Sequence, residues 1–346
     1  MDKSEKELIK AKFSKNIFYP DRKSLEMSTP ELVSKYRASR LKCNTAIDLC
    51  CGLGIDAILL AKSCKKVIAI EKDKKILDCA IKNAKLYNTK NIEFICADFK
   101  TLDLKKYNPD IIFADPSRRV GEKRVKELSE TEPSTTEIIS LLQKQGFENF
   151  CIEVSNNLDL EKLNFDCEKE FISLNKEPNC ISLYFGNLKK YNYSFVALPD
   201  KKVIFADKIN PEFKTQENFK KYLYELDEGI KKMHFQNELL NHYNGLYAIT
   251  DSFFTSTNLI KDPIFKNSYK IETVLETSFE NTDKNILIEE LKKLDAKKVV
   301  LRIKIDPDKY YSLKKDLEKD LEGTKKLHII ELNKKVILCK NLLLSE

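Results

Sequence analysis

One short segment constrains the fold of this chain more than any other. Residues 46–57 read Ala-Ile-Asp-Leu-Cys-Cys-Gly-Leu-Gly-Ile-Asp-Ala, so an apolar run ends at Asp48 and is followed by Gly52 and Gly54. Glycines permit a tight turn and let a ligand approach the backbone closely. The segment therefore predicts a strand, a glycine turn and a helix in immediate succession.

Short apolar runs continue to alternate with amphipathic segments after this turn. Residues 111–114, Ile-Ile-Phe-Ala, are uninterrupted apolar sequence, as is typical of a parallel strand buried on both faces. Alternation of this kind is typical of a doubly wound, Rossmann-like α/β sheet. The pattern predicts helices at about 54–63, 73–88 and 134–145, and strands at 45–49, 66–71, 92–97, 110–115, 149–155, 170–175, 180–185 and 192–198.

The chain has 346 residues, a length that favours more than one domain. We expect a helical lead-in over 1–42, in which residues 28–31, Ser-Thr-Pro-Glu, start a helix with Pro30 in its first turn. The α/β domain should cover 43–200, followed over 201–268 by a linker and middle section that is mostly helical at about 212–245. The remaining segment, 269–346, has the pattern of a compact α+β domain with the order βαβαββ.

Composition excludes several kinds of protein. Ten cysteines without a Cys-x-x-Cys pair indicate reduced core residues, and three histidines without zinc spacing predict no metal site. No apolar stretch approaches the roughly 18 residues of a membrane helix, and residues 1–6 lack an apolar signal core. We therefore expect a cytoplasmic protein without a membrane partner. The net charge of +7 names no partner by itself, and nothing in the sequence fixes the oligomeric state.

Acidic residues follow the first three predicted strands. Glu71 ends the second strand, where its carboxylate can accept hydrogen bonds from both hydroxyls of a ribose. Asp98 ends the third strand, where it can accept from an adenine amino group while Phe99 lies against the ring. With Asp48, Asp56 and the two glycines, these residues are the predicted contacts of a nucleoside ligand.

Two ligands compete for this site. Residues 52–57, Gly-x-Gly-x-x-Ala, also fit the dinucleotide fingerprint. A dinucleotide, however, needs neither Asp48 before the turn nor Asp98 after the third strand. S-adenosylmethionine (AdoMet) needs acids for its amino and ribose groups and has no pyrophosphate, so AdoMet is the favoured cofactor. The alternative without a ligand is that both aspartates only cap strand ends.

The fourth predicted strand ends in Asp115 and Pro116, at the sheet edge where α/β proteins bind ligands. The Asp115 carboxylate and the Pro116 carbonyl are both acceptors, which could hold an exocyclic amine with its lone pair aimed at a methyl group. Such catalysis is mainly positioning. A transfer to pyrimidine carbon 5 would need a cysteine nucleophile, and Cys151 lies inside a predicted strand, so nitrogen or oxygen is the expected acceptor.

Arginine is rare in this lysine-rich chain and is found in two places near the predicted site. The planar guanidinium grips phosphate or carboxylate, which suggests contact with a nucleic-acid backbone. The alternative is a solvated loop with ion pairs within a helix. The predicted substrate contacts are Ser117, Arg118, Arg119 and Arg124 after the fourth strand and Arg37 and Arg40 before the first.

These features resemble a class I AdoMet-dependent methyltransferase, and more narrowly the THUMP-like-domain methyltransferases. Residues 28–40 resemble that family's lead-in helix, 115–119 its Asp-Pro-x-Arg-Arg motif, 222–225 its central segment and 269–340 its THUMP-like domain. The resemblance implies AdoMet as cofactor, Asp115 in the catalytic motif and, by analogy with true THUMP domains, an RNA substrate. The target would be a base nitrogen of tRNA or rRNA, with the exocyclic amine of guanine preferred.

Three other hypotheses stay open at this stage. The arginines could serve an acidic protein or small-molecule substrate, or the chain could be a non-catalytic RNA-binding protein on a methyltransferase scaffold. A dinucleotide oxidoreductase would bind nicotinamide and not AdoMet. The tail could equally be a dimerisation unit.

Overall fold

The structure is a computed structural model that describes residues 3–117, 119–120, 123–124, 127–160 and 163–342. Residues 119–120 and 123–124 are described by their backbone alone. The chain divides into two units, residues 1–208 (unit 1) and 209–346 (unit 2). Within the described ranges, no helix is both long and apolar enough to cross a membrane.

The helices and strands follow the chain order below. The helices are α1 (Lys3–Lys12), α2 (Arg22–Met27), α3 (Glu31–Arg40), α4 (Ile55–Ala61), α5 (Lys74–Leu86), α6 (Thr135–Lys144), α7 (Glu228–Lys232), α8 (Gln236–His242), α9 (Lys284–Lys293) and α10 (Pro307–Glu318). The strands are β1 (Thr45–Asp48), β2 (Lys66–Glu71), β3 (Ile92–Cys96), β4 (Ile111–Ala114), β5 (Arg119–Val120), β6 (Lys123–Arg124), β7 (Phe150–Ser155), β8 (Glu168–Leu174), β9 (Glu177–Tyr184), β10 (Tyr193–Leu198), β11 (Lys202–Ala206), β12 (Tyr222–Leu226), β13 (Leu246–Ala248), β14 (Phe253–Ser256), β15 (Phe265–Leu275), β16 (Ala296–Arg302), β17 (Lys325–Leu332) and β18 (Lys335–Asn341).

Unit 1 is built on one mixed sheet with the order β11-β10-β8-β9-β7-β4-β1-β2-β3. Neighbouring strands from β7 through β3 in that order are parallel, whereas β9 runs antiparallel between β7 and β8. The carboxyl ends of β1, β2, β3, β4 and β7 therefore meet at one edge. The prediction of a Rossmann-like, doubly wound α/β fold is confirmed. Strands β2 and β3 lie on one side of β1, and β4 and β7 lie on the other, so the strand order changes direction at β1, where such sheets bind ligands.

The core of unit 1 explains why these segments form buried strands. The last three residues of β1 and all residues of β4 and β7 are buried, in keeping with their apolar runs. Every residue of α4 is buried as well, since it contacts α3, β1, β2 and α5. The helix that follows the glycine turn is therefore surrounded by other elements of unit 1.

The lead-in is helical, as predicted, and is divided among α1, α2 and α3. Pro30 is the N-cap of α3, one position before the expected first-turn position. The Lys12 ammonium donates to the carbonyl oxygens of Leu25, Glu26 and Ser28 at 3.3, 2.6 and 2.8 Å. These bonds fix the C-terminal end of α2 and its cap Ser28 against the end of α1.

Unit 2 contains a second mixed sheet with the order β13-β14-β12-β15-β18-β17-β16. The predicted βαβαββ tail is present as β15, α9, β16, α10, β17 and β18, and α9 and α10 contribute Leu287, Leu291 and Leu317 to its core. The expectation of a mostly helical section over 212–245 was wrong in part. Residues 222–226 form β12, which pairs with β14 and β15, because Leu223 and Tyr224 are both buried in the sheet.

Candidate active site

A cavity of about 910 Å³ opens at the carboxyl edge of the unit 1 sheet. Its lining contains most residues that the sequence analysis selected from separate strands. They are Asp48 after β1, Gly52 and Asp56 at the glycine turn, Glu71 at the end of β2, Asp98 and Phe99 after β3, and Asp115, Pro116 and Ser117 after β4.

Asp48 has the most unusual environment in this cavity. The residue is 0% exposed, and its Oδ1 accepts from the backbone N–H of Cys50 at 3.3 Å. Its Oδ2 has no hydrogen-bond partner within the described part of the chain. Burial first, and then the charges of Asp56, Asp115 and Glu71, raise the pKa of Asp48 well above its usual range. A buried acceptor without a partner is costly, so this oxygen suits a ligand that brings a donor or a positive charge.

The two glycines have different tasks. Gly52 has φ +51°, and a Cβ there would meet no described atom within 4 Å, so the backbone faces open space at the cavity. Gly54 has φ +81°, and a Cβ there would lie 2.9 Å from the Cβ of Ala80 on α5. Gly54 is therefore a packing position, whereas Gly52 is the one that lets a ligand approach.

Glu71 and Asp98 both stabilise the loops that carry them. The Glu71 Oε2 accepts from the N–H of Gly52 at 3.1 Å, and its Oε1 accepts from the N–H of Asp73 at 2.9 Å. Asp98 accepts from the N–H of Lys100 at 3.0 Å. The capping alternative, which was raised for Asp48 and Asp98, is thus correct for the backbone bond of Asp98. It does not exclude a ligand, because each carboxylate oxygen can accept a second hydrogen bond.

Asp115 is held by a residue from the lead-in. The Thr29 hydroxyl donates to the Asp115 Oδ2 at 3.1 Å, and Thr29 is itself 4% exposed and lines the cavity. Residues 28–31 predict a helix start and give no sign of this contact. Thr29 and Asp115 lie 86 residues apart in the chain, and no local sequence pattern connects them.

The expectation that Arg37 and Arg40 contact a substrate was wrong. The Arg37 guanidinium is 1% exposed, where it pairs with Asp56 at 2.5 Å and with Glu153. The Arg40 side chain is 9% exposed and pairs with Glu168 at 2.8 Å and Glu170 at 2.6 Å. Buried guanidinium groups require such partners, and groups held in this way cannot reach an RNA backbone.

The second arginine group lies largely outside the described structure. Arg118 is outside the described residues, and Arg119 and Arg124 are described only as a backbone pair in the β5–β6 ribbon. Ser117 forms reciprocal backbone hydrogen bonds with Glu132 at 2.8 and 3.0 Å and lines the cavity. Their roles as substrate contacts stay predictions.

The acceptor side of the cavity contains residues that the sequence analysis did not select. Ser155 ends β7 and Asn156 follows it, and Pro178 and Asn179 lie on β9. Only the antiparallel insertion of β9 next to β7 brings these two segments together, and such an arrangement cannot be read from local sequence.

The charge of the cavity decides between the two candidate ligands. Nine carboxylate residues and four lysines line it, and the carboxylates of Asp48, Asp56, Glu71, Asp98 and Asp115 follow the strand ends and the glycine turn. Carboxylates at this density repel a pyrophosphate and attract a cation. AdoMet has an ammonium and a sulfonium group, so the donor set fits AdoMet and does not fit a dinucleotide. No cluster of three or more metal-ligating side chains occurs among the described residues.

Residues 43–167 match the sequence model of a family described as RNA cap guanine-N2 methyltransferase. A curated relative from Clostridium tetani (strain Massachusetts / E88), described as an uncharacterized RNA methyltransferase, is 34% identical over 124 residues, which is 35% of this chain and 27% of the relative. The tRNA (uracil(54)-C(5))-methyltransferase of Pyrococcus furiosus is 28% identical over 134 residues, 38% of this chain and 29% of the relative. This chain therefore spans less than a third of either relative.

A solved structure from Porphyromonas gingivalis W83, described as a methyltransferase candidate, superimposes over 93% of this chain and 83% of its own with a TM-score of 0.73 and 20% identity. At that identity the likeness shows the fold, and it extends over both units. The fold, the cavity chemistry, the family match over 43–167 and the curated relatives together define an AdoMet-dependent methyltransferase domain.

Proposed function

We propose that this chain is an RNA methyltransferase that transfers the methyl group of AdoMet to a base nitrogen. The observation that carries the proposal is the buried Asp48, which lines the same cavity as Asp115 and Pro116 and has one oxygen without a hydrogen-bond partner in the described part of the chain. The proposed RNA substrate is supported by two curated relatives that match about a third of this chain, one described as an uncharacterized RNA methyltransferase and one as a tRNA methyltransferase.

Separate residues would hold the parts of the donor. Asp48 would accept from the ammonium group, and the Gly52 backbone would lie against the methionine part. Glu71 would accept from the ribose hydroxyls, and Asp98 from the adenine amino group with Phe99 beside the ring. Bound AdoMet would supply a methyl group that its positively charged sulfur makes electrophilic.

On the acceptor side, Asp115 and the Pro116 carbonyl would each accept a hydrogen bond from an amine. These two bonds would orient the nitrogen lone pair towards the methyl carbon. The new N–C bond forms as the S–C bond breaks, which leaves the thioether S-adenosylhomocysteine, and the nitrogen then releases one proton to solvent. Positioning therefore contributes most of the rate. The exocyclic amine of guanine is the acceptor that we prefer, because it offers two N–H donors.

The thiols of this cavity argue against carbon 5 of a pyrimidine as the acceptor. Cys50 and Cys51 line the cavity, and burial, followed by the charge of Asp48, raises the pKa of both well above the usual range. Cys151 is 0% exposed, and burial raises its pKa to about 12. Since the thiolate is the nucleophile in such a reaction, these thiols are poorly suited to it.

Substrate RNA would contact the loop after β4 and unit 2. Ser117, Arg118, Arg119 and Arg124 are the proposed contacts in the loop. Within the chain we keep the proposed division into a lead-in, a methyltransferase domain, a middle section and a THUMP-like tail from residue 269.

The first test is a parallel titration of the purified chain with AdoMet, S-adenosylhomocysteine and NAD. We expect the first two to bind and NAD not to bind. Incubation with AdoMet carrying a labelled methyl group and total cellular RNA should then place label on guanine. Label in protein or small molecules instead would favour the second hypothesis, an acidic protein or small-molecule substrate. Binding without any transfer would favour a non-catalytic RNA-binding scaffold.

A further inference from the structure

Two of the cavity carboxylates are held from one short stretch of the lead-in. Thr29 precedes α3 and donates to Asp115, whereas Arg37 lies in the last turn of α3 and pairs with Asp56. Both residues are buried, at 4% and 1% exposure. Residues 29–37, which comprise most of α3 and the two residues before it, therefore connect the Asp115-Pro116 motif and the glycine turn.

The Arg37 end acts on the donor side. One nitrogen of its guanidinium donates to the Asp56 Oδ1 at 2.5 Å, while the other donates to Glu153 on β7. The guanidinium also lies 4.7 Å from the ring centroid of Phe113. Asp56 and Phe113 both line the cavity. A planar fork with two partners fixes direction as well as charge, which a point charge cannot do.

The Thr29 end acts on the acceptor side. Its hydroxyl donates to one oxygen of Asp115, which limits rotation of that carboxylate. The segment before it is fixed by the three bonds from Lys12 to the carbonyls of Leu25, Glu26 and Ser28. A misplacement of about 1 Å in a reacting group can cost on the order of 100-fold in rate, so such fixing matters for transfer.

We infer that residues 29–37 are a two-ended clamp, in which Arg37 positions Asp56 for the donor and Thr29 positions Asp115 for the acceptor. The inference rests on the proposed function, because it assigns both residues to the same methyl transfer. Arg37 and Thr29 are positioning residues, since each acts through the carboxylate that it holds.

The donor end is tested by titration with S-adenosylhomocysteine, with Arg40 as the matched control. Arg40 lies on the same helix and is also buried against two glutamates, but Glu168 and Glu170 are not among the cavity-lining residues. We expect Arg37→Met to weaken binding by about ten-fold or more, and Arg40→Met by less than about three-fold, although both lower the melting temperature. Arg37→Lys should fall between wild type and Arg37→Met.

A double variant separates positioning from general destabilisation. If Arg37 acts through Asp56, Arg37→Met combined with Asp56→Asn should bind no more weakly than Asp56→Asn alone. If the two substitutions weaken binding additively, or if Arg37→Met and Arg40→Met weaken it equally, the inference that Arg37 positions Asp56 is wrong. Wild-type protein that binds no S-adenosylhomocysteine would instead refute the proposed function itself.

The acceptor end is tested by labelled methyl transfer to total cellular RNA. Thr29→Val keeps the shape of the side chain and removes the hydroxyl, whereas Thr29→Ser keeps the hydroxyl. We expect Thr29→Val to lower kcat by about ten-fold or more with the KM for AdoMet within about three-fold, and Thr29→Ser to restore most of kcat. Wild-type kcat in Thr29→Val would overturn the clamp at this end, even if RNA methylation itself is observed.

Discussion

At the scale of single residues, Asp48 should make donor binding depend on pH. Its pKa is raised by burial and by Asp56, Asp115 and Glu71, so it takes up a proton at a higher pH than an ordinary aspartate. Only the ionised form pairs with an ammonium group. AdoMet affinity should therefore fall as the pH is lowered through this raised pKa, and binding should release a proton.

Calorimetry of AdoMet binding from neutral pH down to the lowest pH at which the chain stays folded, in buffers of different ionisation enthalpy, measures both effects. Asp48→Asn is the control, because it should lower the affinity and abolish the pH dependence together. An affinity in wild-type protein that stays constant over this range would show that Asp48 does not hold the ammonium group.

The two glycines of the turn give a second prediction at the residue scale. Gly54→Ala should lower the free energy of unfolding by about 2–4 kcal/mol, because it adds a Cβ 2.9 Å from Ala80 at a φ of +81°. Gly52→Ala, with φ +51° and no described atom within 4 Å of the added Cβ, should cost about 1 kcal/mol and weaken AdoMet binding instead. Urea denaturation and AdoMet titration of both variants compare the two effects, and equal losses of stability would contradict this division.

At the scale of elements, the buried ion pairs between α3 and β8 should matter greatly for stability. Arg40 pairs with Glu168 and Glu170, and Tyr36 and Tyr184 also donate to Glu170. Removal of one partner leaves a buried charge without compensation, so Arg40→Met should cost about 3–5 kcal/mol in urea denaturation. Glu170→Gln keeps acceptor and shape and should cost less. A cost below about 1 kcal/mol for Arg40→Met would mean that solvent reaches the network.

The elements of unit 1 were predictable from sequence because their signals are local. β1 to β4 and β7 coincide with apolar runs in the sequence, and Asp48 and the glycine turn indicated where the cavity lies. Arg37 was misassigned for the opposite reason. Arginine is rare in this lysine-rich chain, which indicated that Arg37 has a partner suited to a planar guanidinium. The partners are Asp56 and Glu153, which come from distant elements. The sequence alone does not tell whether such a partner is a buried carboxylate or the phosphate of a substrate.

The same limit explains what was missed elsewhere. The mostly helical prediction for 212–245 overlooked β12, whose pairing with β14 and β15 is set by tertiary contacts and not by local propensity. Thr29 was seen only as part of a helix start, and Asn179 reaches the cavity only because β9 inserts next to β7. Cavity-lining residues that directly follow β1 to β4, including Asp115 and Pro116, were therefore foreseen, whereas Thr29, Pro178 and Asn179 were not.

At the scale of the whole molecule, one buried histidine should make the folded chain sensitive to mild acid. His328 on β17 in unit 2 is 3% exposed, and neither ring nitrogen has a partner among the described residues. Its ring lies 5.3 Å from that of Tyr269. Burial first, and then the positive charges of Arg302 and Lys326, lower the pKa of His328 to about 4.

The sign of the effect follows from the two states. The unfolded chain binds a proton at an ordinary histidine pKa of about 6.5, whereas the folded chain resists protonation down to about 4. The stability from a neutral His328 is therefore complete above about pH 6.5 and is lost progressively as the pH falls towards 4. The loss should reach roughly 2–3 kcal/mol.

Urea denaturation of the full chain between about pH 6.5 and about pH 4, compared with His328→Gln, measures this loss of stability. His328→Gln should be less stable at neutral pH and show a flatter pH dependence, and parallel curves for the two proteins would assign the acid sensitivity to other groups.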